Sequence, residues 1–198
     1  AVSFQIRSGP KDRAETLDWA SLAEQVTRTA NLFRRIGIGE NDTVAYLLPN
    51  CNETVLALLG GATAGMVSPV NPLLEAGQIA ALLRETGAKA LVTLAPMPKT
   101  DIAQKAHAAV AMAPEVRTVL EVDLARYLPA PLGWLVRLIR PRVTRAPGVR
   151  VLNFMQALMA EDGAALSFAE GGGERVAALF HTGGTTGMPK AVMWPMAN

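Results

Sequence analysis

Cysteine is nearly missing from this sequence, since Cys51 is the single one among 198 residues. One cysteine cannot form a disulfide within the chain, which fits a reducing compartment. A lone cysteine is most often a small buried side chain, and we predict that role for Cys51. Aromatic residues are also scarce, at 5% of a sequence that is 50% hydrophobic. We therefore expect a core built from alanine, leucine, valine and methionine.

Long uncharged hydrophobic runs are absent as well. No segment reaches the roughly 18 apolar residues that a membrane-spanning helix needs. The sequence carries 19 Lys and Arg against 17 Asp and Glu, and the net charge of +2 is too small to indicate a nucleic-acid partner. We expect a cytoplasmic protein whose contact with membranes is at most peripheral. Because neither a signal peptide nor an initiator methionine opens the sequence, we also expect the numbering to begin inside a longer natural chain.

Strand-like and helix-like patterns alternate along most of the chain. A hairpin is predicted from residues 3–7 and 15–19, and a first helix is predicted to follow Ser21 as N-cap, with Glu24 as its capping-box partner. Apolar runs predict strands at 43–48, 66–70, 89–94, 116–122 and 175–180, and helical periodicity predicts helices at 53–63, 75–85, 101–112 and 153–159. This alternation is typical of an α/β fold with a helix-covered, mostly parallel sheet.

Residues 124–160 differ in composition, because they contain no Asp or Glu but six arginines. The arginines are Arg126, Arg137, Arg140, Arg142, Arg145 and Arg150. We interpret residues 124–150 as a basic insertion rich in proline and arginine. One interpretation, which we favour, is an irregular insertion with solvated arginines and with Trp134 packed on the body of the protein. The other is an amphipathic surface helix that touches anionic lipid or an acidic partner.

The most distinctive segment follows the last predicted strand and is dense in glycine and threonine. It reads His181, Thr182, Gly183, Gly184, Thr185, Thr186, Gly187, Met188, Pro189 and Lys190. Glycines let another group approach the backbone closely, and successive exposed N–H groups form a concavity that suits an anion. Threonine hydroxyls add donors, and Lys190 adds a positive charge. The segment predicts a loop that holds the phosphates of a nucleotide, and the alternative is a hairpin turn without a ligand.

This segment is not a Walker A loop, which requires Lys and then Ser or Thr directly after its last glycine. Two residues separate Gly187 from Lys190, and Ala191 follows the lysine. From Thr182 to Lys190 the sequence instead resembles, at every position, the signature loop of the adenylate-forming enzymes. That family includes acyl-CoA synthetases, firefly-luciferase-like enzymes and the adenylation domains of peptide synthetases.

Three weaker elements resemble the same family in the same order. Residues 16–22 resemble its opening element, residues 42–49 its Asp-x-Val-Ala-x-x-x-Pro strand, and residues 61–72 its Ala-Gly element with two following prolines. The resemblance therefore covers most of the chain. The arginine-rich stretch has no general counterpart and looks like an insertion seen in some fatty-acyl members.

The resemblance implies a two-step ligase. A carboxylate attacks the α-phosphate of Mg²⁺-bound ATP, which gives an acyl-adenylate and pyrophosphate, and the thiol of coenzyme A then displaces AMP. In this scheme the backbone N–H groups from Gly183 to Gly187 and the three threonine hydroxyls hold the β- and γ-phosphates as charge grows on the leaving pyrophosphate. Lys190 either adds charge or tethers the loop through its carbonyls. His181 either faces the acyl or nucleotide pocket or is a packed strand residue.

Other parts of the family pattern are not found in these 198 residues. They are the adenine-binding aromatic segment, an acidic residue for Mg²⁺, an aspartate for the ribose, and the mobile C-terminal domain with its lysine. Residues 194–196 also depart from the usual Thr-His pair. We interpret residues 1–198 as a truncated N-terminal part of the adenylation domain and predict that this polypeptide alone is inactive. The apolar, methionine-rich composition and the insertion favour a fatty or aryl acid as substrate.

Alternative functions remain open at this point. The first is a non-catalytic module that binds a nucleotide or phosphate, which would need a complete pocket within these residues. A second is a lipid-surface protein built around the arginine-rich stretch. A P-loop kinase or NTPase is disfavoured by the missing Gly-Lys-Ser/Thr sequence.

Overall fold

A seven-stranded sheet forms the centre of the fold, and a two-stranded hairpin precedes the first helix. The computed structural model describes residues 1–5, 14–181 and 191–196. In chain order the strands are β1 (Val2–Phe4), β2 (Glu15–Leu17), β3 (Thr43–Leu47), β4 (Met66–Pro69), β5 (Ala88–Leu94), β6 (Thr118–Val122), β7 (Arg150–Asn153), β8 (Val176–His181) and β9 (Ala191–Pro195). The helices are α1 (Trp19–Arg35), α2 (Asn52–Ala64), α3 (Ala76–Glu85), α4 (Ile102–Ala111), α5 (Ala130–Leu138) and α6 (Phe154–Met159), with a 3-10 turn at Leu124–Tyr127.

The order of the strands in the large sheet is β7-β6-β5-β3-β4-β8-β9. Neighbouring strands run parallel from β7 to β8, and β9 pairs antiparallel with β8. The predicted α/β fold with a mostly parallel, helix-covered sheet is therefore confirmed.

Side chains of the central strands alternate between two hydrophobic layers. On β3, Val44 packs in the layer that holds α1, α2 and α6, whereas Ala45 and Leu47 pack in the layer that holds α3 and α4. On β5 the same alternation places Val92 in the first layer and Leu91 in the second. A period of two is what the pleat of a strand imposes, so each face of the sheet receives its own helices.

Helix α1 begins earlier than the sequence predicted. Asp18 is its N-cap, and the Asp18 carboxylate accepts a hydrogen bond from the backbone N–H of Ser21 at 2.7 Å. Glu24 pairs with Arg28 at 2.8 Å instead of capping the helix. The predicted capping box at Ser21 is therefore wrong, because an aspartate further upstream satisfies the free N–H groups equally well.

Helices α1 and α2 cross closely at Gly60. A Cβ atom added to Gly60 would lie 2.5 Å from Cγ2 of Thr29 and 3.2 Å from the backbone nitrogen of Ala30. Thr29 and Ala30 are both fully buried, so neither can move aside without disturbing the core. The crossing therefore requires a residue without a side chain.

The arginine-rich stretch is more ordered than the favoured interpretation expected. It forms α5, and Arg137 and Arg140 of this stretch both donate hydrogen bonds to Asp123. Arg126 pairs with Glu15 and Glu53. Trp134 is 67% exposed instead of packed on the body. That interpretation is wrong for these residues, because carboxylates that lie outside the stretch in sequence are brought next to it by the fold.

Two strands escaped prediction. β7 has four residues, and only its two central residues are partly buried, so it lacks the apolar run of an inner strand. β9 follows the glycine-rich segment and all five of its residues are exposed. Edge strands bury little, and their sequences therefore carry weak hydrophobic patterns. Among the described residues, no helix combines the length and apolar content that crossing a membrane would require.

Candidate functional site

Three parallel strands end at one edge of the sheet, where the chain leaves in two directions. β3 leads into α2 on one face of the sheet, and β4 leads toward α3 on the other face. β8 lies beside β4 and runs in the same direction, so His181 reaches the same edge. In open α/β sheets, ligands bind in the crevice outside the carboxyl ends of the strands, where the strand order reverses.

A cavity of about 480 Å³ occupies this crevice. Its polar lining consists of Tyr46, Asn50, Thr54, Asn71 and His181, and leucine, valine, proline and phenylalanine side chains complete the wall. The volume lies within the usual range for small-molecule sites. Within the described part of the chain, no Asp or Glu lines the cavity, so a carboxylate or phosphate would meet no like charge there.

The loops that carry these polar residues are fixed by short-range hydrogen bonds. The Thr54 hydroxyl donates to the carbonyl of Pro49 at 2.6 Å, and the Asn71 side-chain oxygen accepts from the backbone N–H of Leu73 at 2.9 Å. Burial raises the pKa of Tyr46 above its ordinary value, so its hydroxyl stays protonated and can donate a hydrogen bond. Tyr46 is therefore a hydrogen-bond donor on the wall of the cavity.

At the end of β8, His181 occupies a position for which the sequence left two roles open, a packed strand residue or one that faces the acyl or nucleotide pocket. Its side chain is 7% exposed, as expected of a packed strand residue, and it also borders the cavity. Among the residues that the structure describes, neither ring nitrogen has a hydrogen-bond partner, and Oε2 of Glu85 lies 3.9 Å from Nε2. A buried imidazole in this state is available to a ligand or to a neighbouring segment of the chain.

The predicted phosphate-binding residues Thr182, Gly183, Gly184, Thr185, Thr186, Gly187 and Lys190 lie outside the described residues. The residues on both sides of them are described, and His181 pairs directly with Ala191 in the β8–β9 ladder. Paired residues in an antiparallel ladder have Cα atoms about 5 Å apart. The two residues that flank segment 182–190 therefore lie side by side at one end of the β8–β9 pair, and one of them, His181, borders the cavity.

Sequence reasoning missed four of the residues that line the cavity, namely Tyr46, Asn50, Thr54 and Asn71. A usable signal was present, since Asn50 and Asn71 both follow the ends of predicted parallel strands. The carboxyl ends of such strands meet at one edge, so polar residues placed there converge. That signal identifies the edge, whereas the side chains that reach the cavity depend on how α2 and α3 pack.

The first turn of α2, which carries Thr54, is held by a buried ionic cluster. The fully buried Glu53 carboxylate accepts hydrogen bonds from Nη1 of Arg126 and from the Tyr127 hydroxyl, both at 2.8 Å. Burial together with the neighbouring Glu53 carboxylate raises the pKa of Tyr127, which keeps the phenol protonated as the donor. The positive end of the α2 dipole also favours a negative charge here.

A second arginine fixes β8 against α2. Arg175 directly precedes β8, and its guanidinium donates to the carbonyls of Gly65 at 2.8 Å and of Ala62 at 2.6 Å. These are carbonyls at the C-terminal end of α2, where a cation is favoured. The strand that ends at His181 is thus positioned by the same helix that supplies Thr54 to the cavity.

The described residues do not fit a metal site. They contain no group of three or more His, Cys, Asp or Glu side chains that could hold a metal ion. For the Mg²⁺ that the resemblance implies, the described part of the chain therefore holds no cage of three or more such side chains.

The whole chain matches a known family, since the family model for AMP-binding enzymes aligns with residues 1–198. The protein therefore belongs to the AMP-binding enzyme family, and the resemblance drawn from its sequence is confirmed.

Curated relatives support this assignment. The chain is 29% identical over 190 residues to a marinolic acid–CoA ligase from Pseudoalteromonas sp. (strain SANK 73390), with 96% of the chain and 26% of the relative covered. It is 30% identical over 198 residues to a long-chain-fatty-acid–CoA ligase from Bacillus subtilis (strain 168), with 98% and 34% covered. The chain thus spans about a third or less of the length of these relatives.

Solved structures share the fold. An acyl-CoA synthetase from Brucella canis superposes with a TM-score of 0.64 at 21% identity, covering 93% of this chain and 29% of that one. The adenylation domain of a carboxylate reductase from Mycobacterium chelonae superposes with a TM-score of 0.72 at 16% identity, covering 98% and 31%. These likenesses show that the chain shares the overall fold of these proteins.

Proposed function

We propose that this chain takes part in the ATP-dependent activation of a carboxylic acid, in which an acyl-adenylate forms first and a thioester with coenzyme A follows. The observation that carries the proposal is the convergence of the cavity and both ends of segment 182–190 at one edge of the sheet. Membership of the AMP-binding enzyme family supports it. The relatives that match most of the chain are named as CoA ligases.

In this proposal the segment 182–190 binds the β- and γ-phosphates of ATP. Its glycine N–H groups and threonine hydroxyls donate to phosphate oxygens, and Lys190 adds a positive charge. Such donors would stabilise the charge that grows on the leaving pyrophosphate. Mg²⁺ bound with ATP would neutralise phosphate charge, and coenzyme A would supply the thiol.

The acid is proposed to be a fatty or aryl acid that enters the cavity at the ends of β3 and β4. Its mixed wall suits an acid with a sizeable apolar body, because leucine, valine and phenylalanine side chains contact that body while Tyr46 donates to oxygen. We propose that residues 1–198 form the N-terminal part of the adenylation domain of a longer ligase. A cytoplasmic location is proposed from the single cysteine, which is buried and reduced.

Calorimetric titration of the 198-residue chain with pyrophosphate and with ATP tests the phosphate-binding role. We expect binding that weakens by about tenfold or more in Lys190→Gln, because one charge-assisted contact to phosphate is lost. Lys99→Gln is the matched control, since Lys99 is an exposed lysine that does not line the cavity. Equal binding by the wild type and Lys190→Gln would assign the lysine to the alternative tethering role.

Acid-dependent exchange of pyrophosphate into ATP by the longer protein tests the activity itself. We expect exchange that requires a fatty or aryl acid and falls by about 100-fold in Lys190→Gln, the scale of a lost transition-state donor. If the isolated chain bound ATP tightly while the longer protein showed no exchange with any acid, the non-catalytic module would be the correct function.

A further inference from the structure

Helix α5 exposes several apolar side chains to solvent, whereas its one basic side chain, Arg137, pairs with Asp123 of the protein body. Trp134, Leu135 and Leu138 are spaced so that they share one face of the helix, and they are 67%, 45% and 67% exposed. We call these three residues the outer stripe. Ile139, directly after the helix, extends the stripe and is 56% exposed. This is the reverse of an ordinary surface helix, whose apolar stripe faces the core.

The opposite face of α5 holds the helix on the body of the protein. Gly133 is buried, and a Cβ atom added to it would lie 2.6 Å from the carbonyl oxygen of Ala125. Nε of Arg137 donates to Asp123 at 2.9 Å, and Arg140 also donates to Asp123. Because the arginines are used for this attachment, the outward direction of the stripe is fixed by the fold.

The stretch that carries the stripe is rich in arginine, and carboxylates from elsewhere in the chain offset part of its positive charge. Residues 124–160 contain six arginines and no Asp or Glu. The single negative charge of Asp123 neutralises the charge of one of the two arginines that it binds. Nη2 of Arg145 lies 3.6 Å from Oε2 of Glu121, and the Arg145 side chain remains 62% exposed. Arg142 is exposed and has no ion-pair partner among the described residues. The pairing of two arginines with one carboxylate leaves a net positive charge next to the apolar stripe, which complements a surface that is apolar below and anionic above.

We propose that the outer stripe of α5 inserts into the interface of an anionic lipid bilayer, with the half-exposed Arg137 beside it near the lipid headgroups. A tryptophan is the side chain that best suits this interface, because its ring is apolar and its N–H reaches water or headgroups. Nine residues of helix span about 14 Å, so α5 lies in the plane of the interface. Basic residues beside an apolar helix face add attraction to anionic lipids.

The occupant is lipid and not a second copy of the chain for two reasons. A second copy would place its own arginine-rich stretch against this one, and like charges repel. The outer stripe together with Ile139 also presents much less surface area than a stable protein–protein interface buries. The proposal does not depend on acid activation, since it concerns a surface outside the cavity.

Sedimentation of the 198-residue chain with vesicles tests the proposal in the absence of ATP and acid. We expect the chain to bind vesicles of mixed phosphatidylcholine and phosphatidylglycerol and to bind pure phosphatidylcholine weakly. Leu138→Asp should lower the partition coefficient about tenfold or more, because it puts a charge in place of an apolar side chain that the lipid would otherwise bury. Leu73→Asp is the matched control, since Leu73 is an 84% exposed leucine away from α5 and should leave binding unchanged.

Tryptophan fluorescence gives a second readout. In a Trp19→Phe, Trp194→Phe background Trp134 is the remaining tryptophan, and its emission should shift to shorter wavelength on addition of anionic vesicles. Circular dichroism of every variant checks that it is folded. Equal vesicle binding by Leu138→Asp and the wild type, or an unshifted Trp134 emission, would overturn the proposal. Concentration-dependent dimerisation abolished by Leu138→Asp would also overturn it, in favour of a self-association surface.

Discussion

Cys51 shows at the scale of one residue how the fold suppresses a chemically reactive group. It is buried at the start of α2, and its sulfur lies 3.2 Å from the Thr54 hydroxyl. Burial raises the pKa of the Cys51 thiol to about 11, the Glu53 carboxylate adds to the effect, and the Thr54 hydroxyl partly opposes it. The thiol is therefore protonated at physiological pH, as the sequence analysis expected for a buried structural cysteine.

We predict that Cys51 reacts slowly with thiol reagents in the folded protein. A pKa of about 11 leaves about one thiol in a thousand ionised at pH 8, against roughly a quarter for a free cysteine. Reaction with a disulfide reagent at pH 8 should therefore be about 100-fold or more slower in buffer than in denaturant. A comparable rate in both conditions would contradict the burial of this residue.

Glu53 is a charge that sequence reasoning could not place in the core. Its partner Arg126 lies 73 positions further along the chain, and only the fold brings the two together. We predict that Arg126→Met lowers the free energy of unfolding by about 3 kcal/mol, because it leaves the buried carboxylate without its counter-charge. Chemical denaturation measures this, and the exposed Arg142→Met should change stability by less than about 0.5 kcal/mol. A small effect of Arg126→Met would mean that Tyr127 alone satisfies Glu53.

At the scale of elements, most helices and inner strands could be predicted and the edges could not. β3 and β5 have apolar runs because both of their faces are buried, so their sequences reveal them. The orientation of α5 could not be predicted, because it depends on the contact with Asp123 in the folded protein. Without that contact, the same sequence would be interpreted as an ordinary amphipathic helix. The cavity could not be predicted either, although the ends of the strands that border it could be.

The attachment of α5 should depend on the ionisation of Asp123. Burial opposes ionisation of this carboxyl, but hydrogen bonds from Arg137 and Arg140 outweigh burial and hold its pKa below the usual 3.8. A lowered pKa in the folded state means that the stabilisation is complete above the usual value and is lost as the pH falls through the lowered one. The attachment should thus persist at neutral pH and disappear only in strong acid.

We predict that Asp123→Asn releases α5 at neutral pH. Amide hydrogen exchange of residues 130–138 should become faster by about 5- to 30-fold, which corresponds to about 1 to 2 kcal/mol for a charged pair that is partly exposed. The difference between variant and wild type should shrink as the pH falls below about 4. Asp101→Asn, at an exposed ion pair, is the control. Unchanged exchange at pH 7 would show that Gly133 packing alone holds the helix.

At the scale of the whole molecule, the chain spans about a third or less of the length of its relatives. We predict that the 198-residue chain alone releases no pyrophosphate from ATP and a fatty acid, because the relatives named as CoA ligases are much longer. A coupled pyrophosphate assay measures this, with the longer protein as the positive control. Acid-dependent release by the chain itself would contradict the prediction.

Both the family and the fold class of the whole molecule could be predicted from the sequence, for different reasons. The segment 182–190 identifies the family, because its glycines, threonines and lysine stand at fixed offsets. The alternation of apolar runs identifies the parallel sheet. Neither pattern shows how the crevice is walled, since that depends on the packing of α2 and α3 across opposite faces of the sheet.

The close contact at Gly60 makes the shape of the crevice depend on the distance between α1 and α2 at a point outside the crevice. Helix α2 is rigid, with its crossing point near one end and the polar residue Thr54 near the other. A methyl group at position 60 would push the two helices apart at the crossing point, and α2 would tilt about that point. The crevice would change width although none of the residues that line it had been replaced.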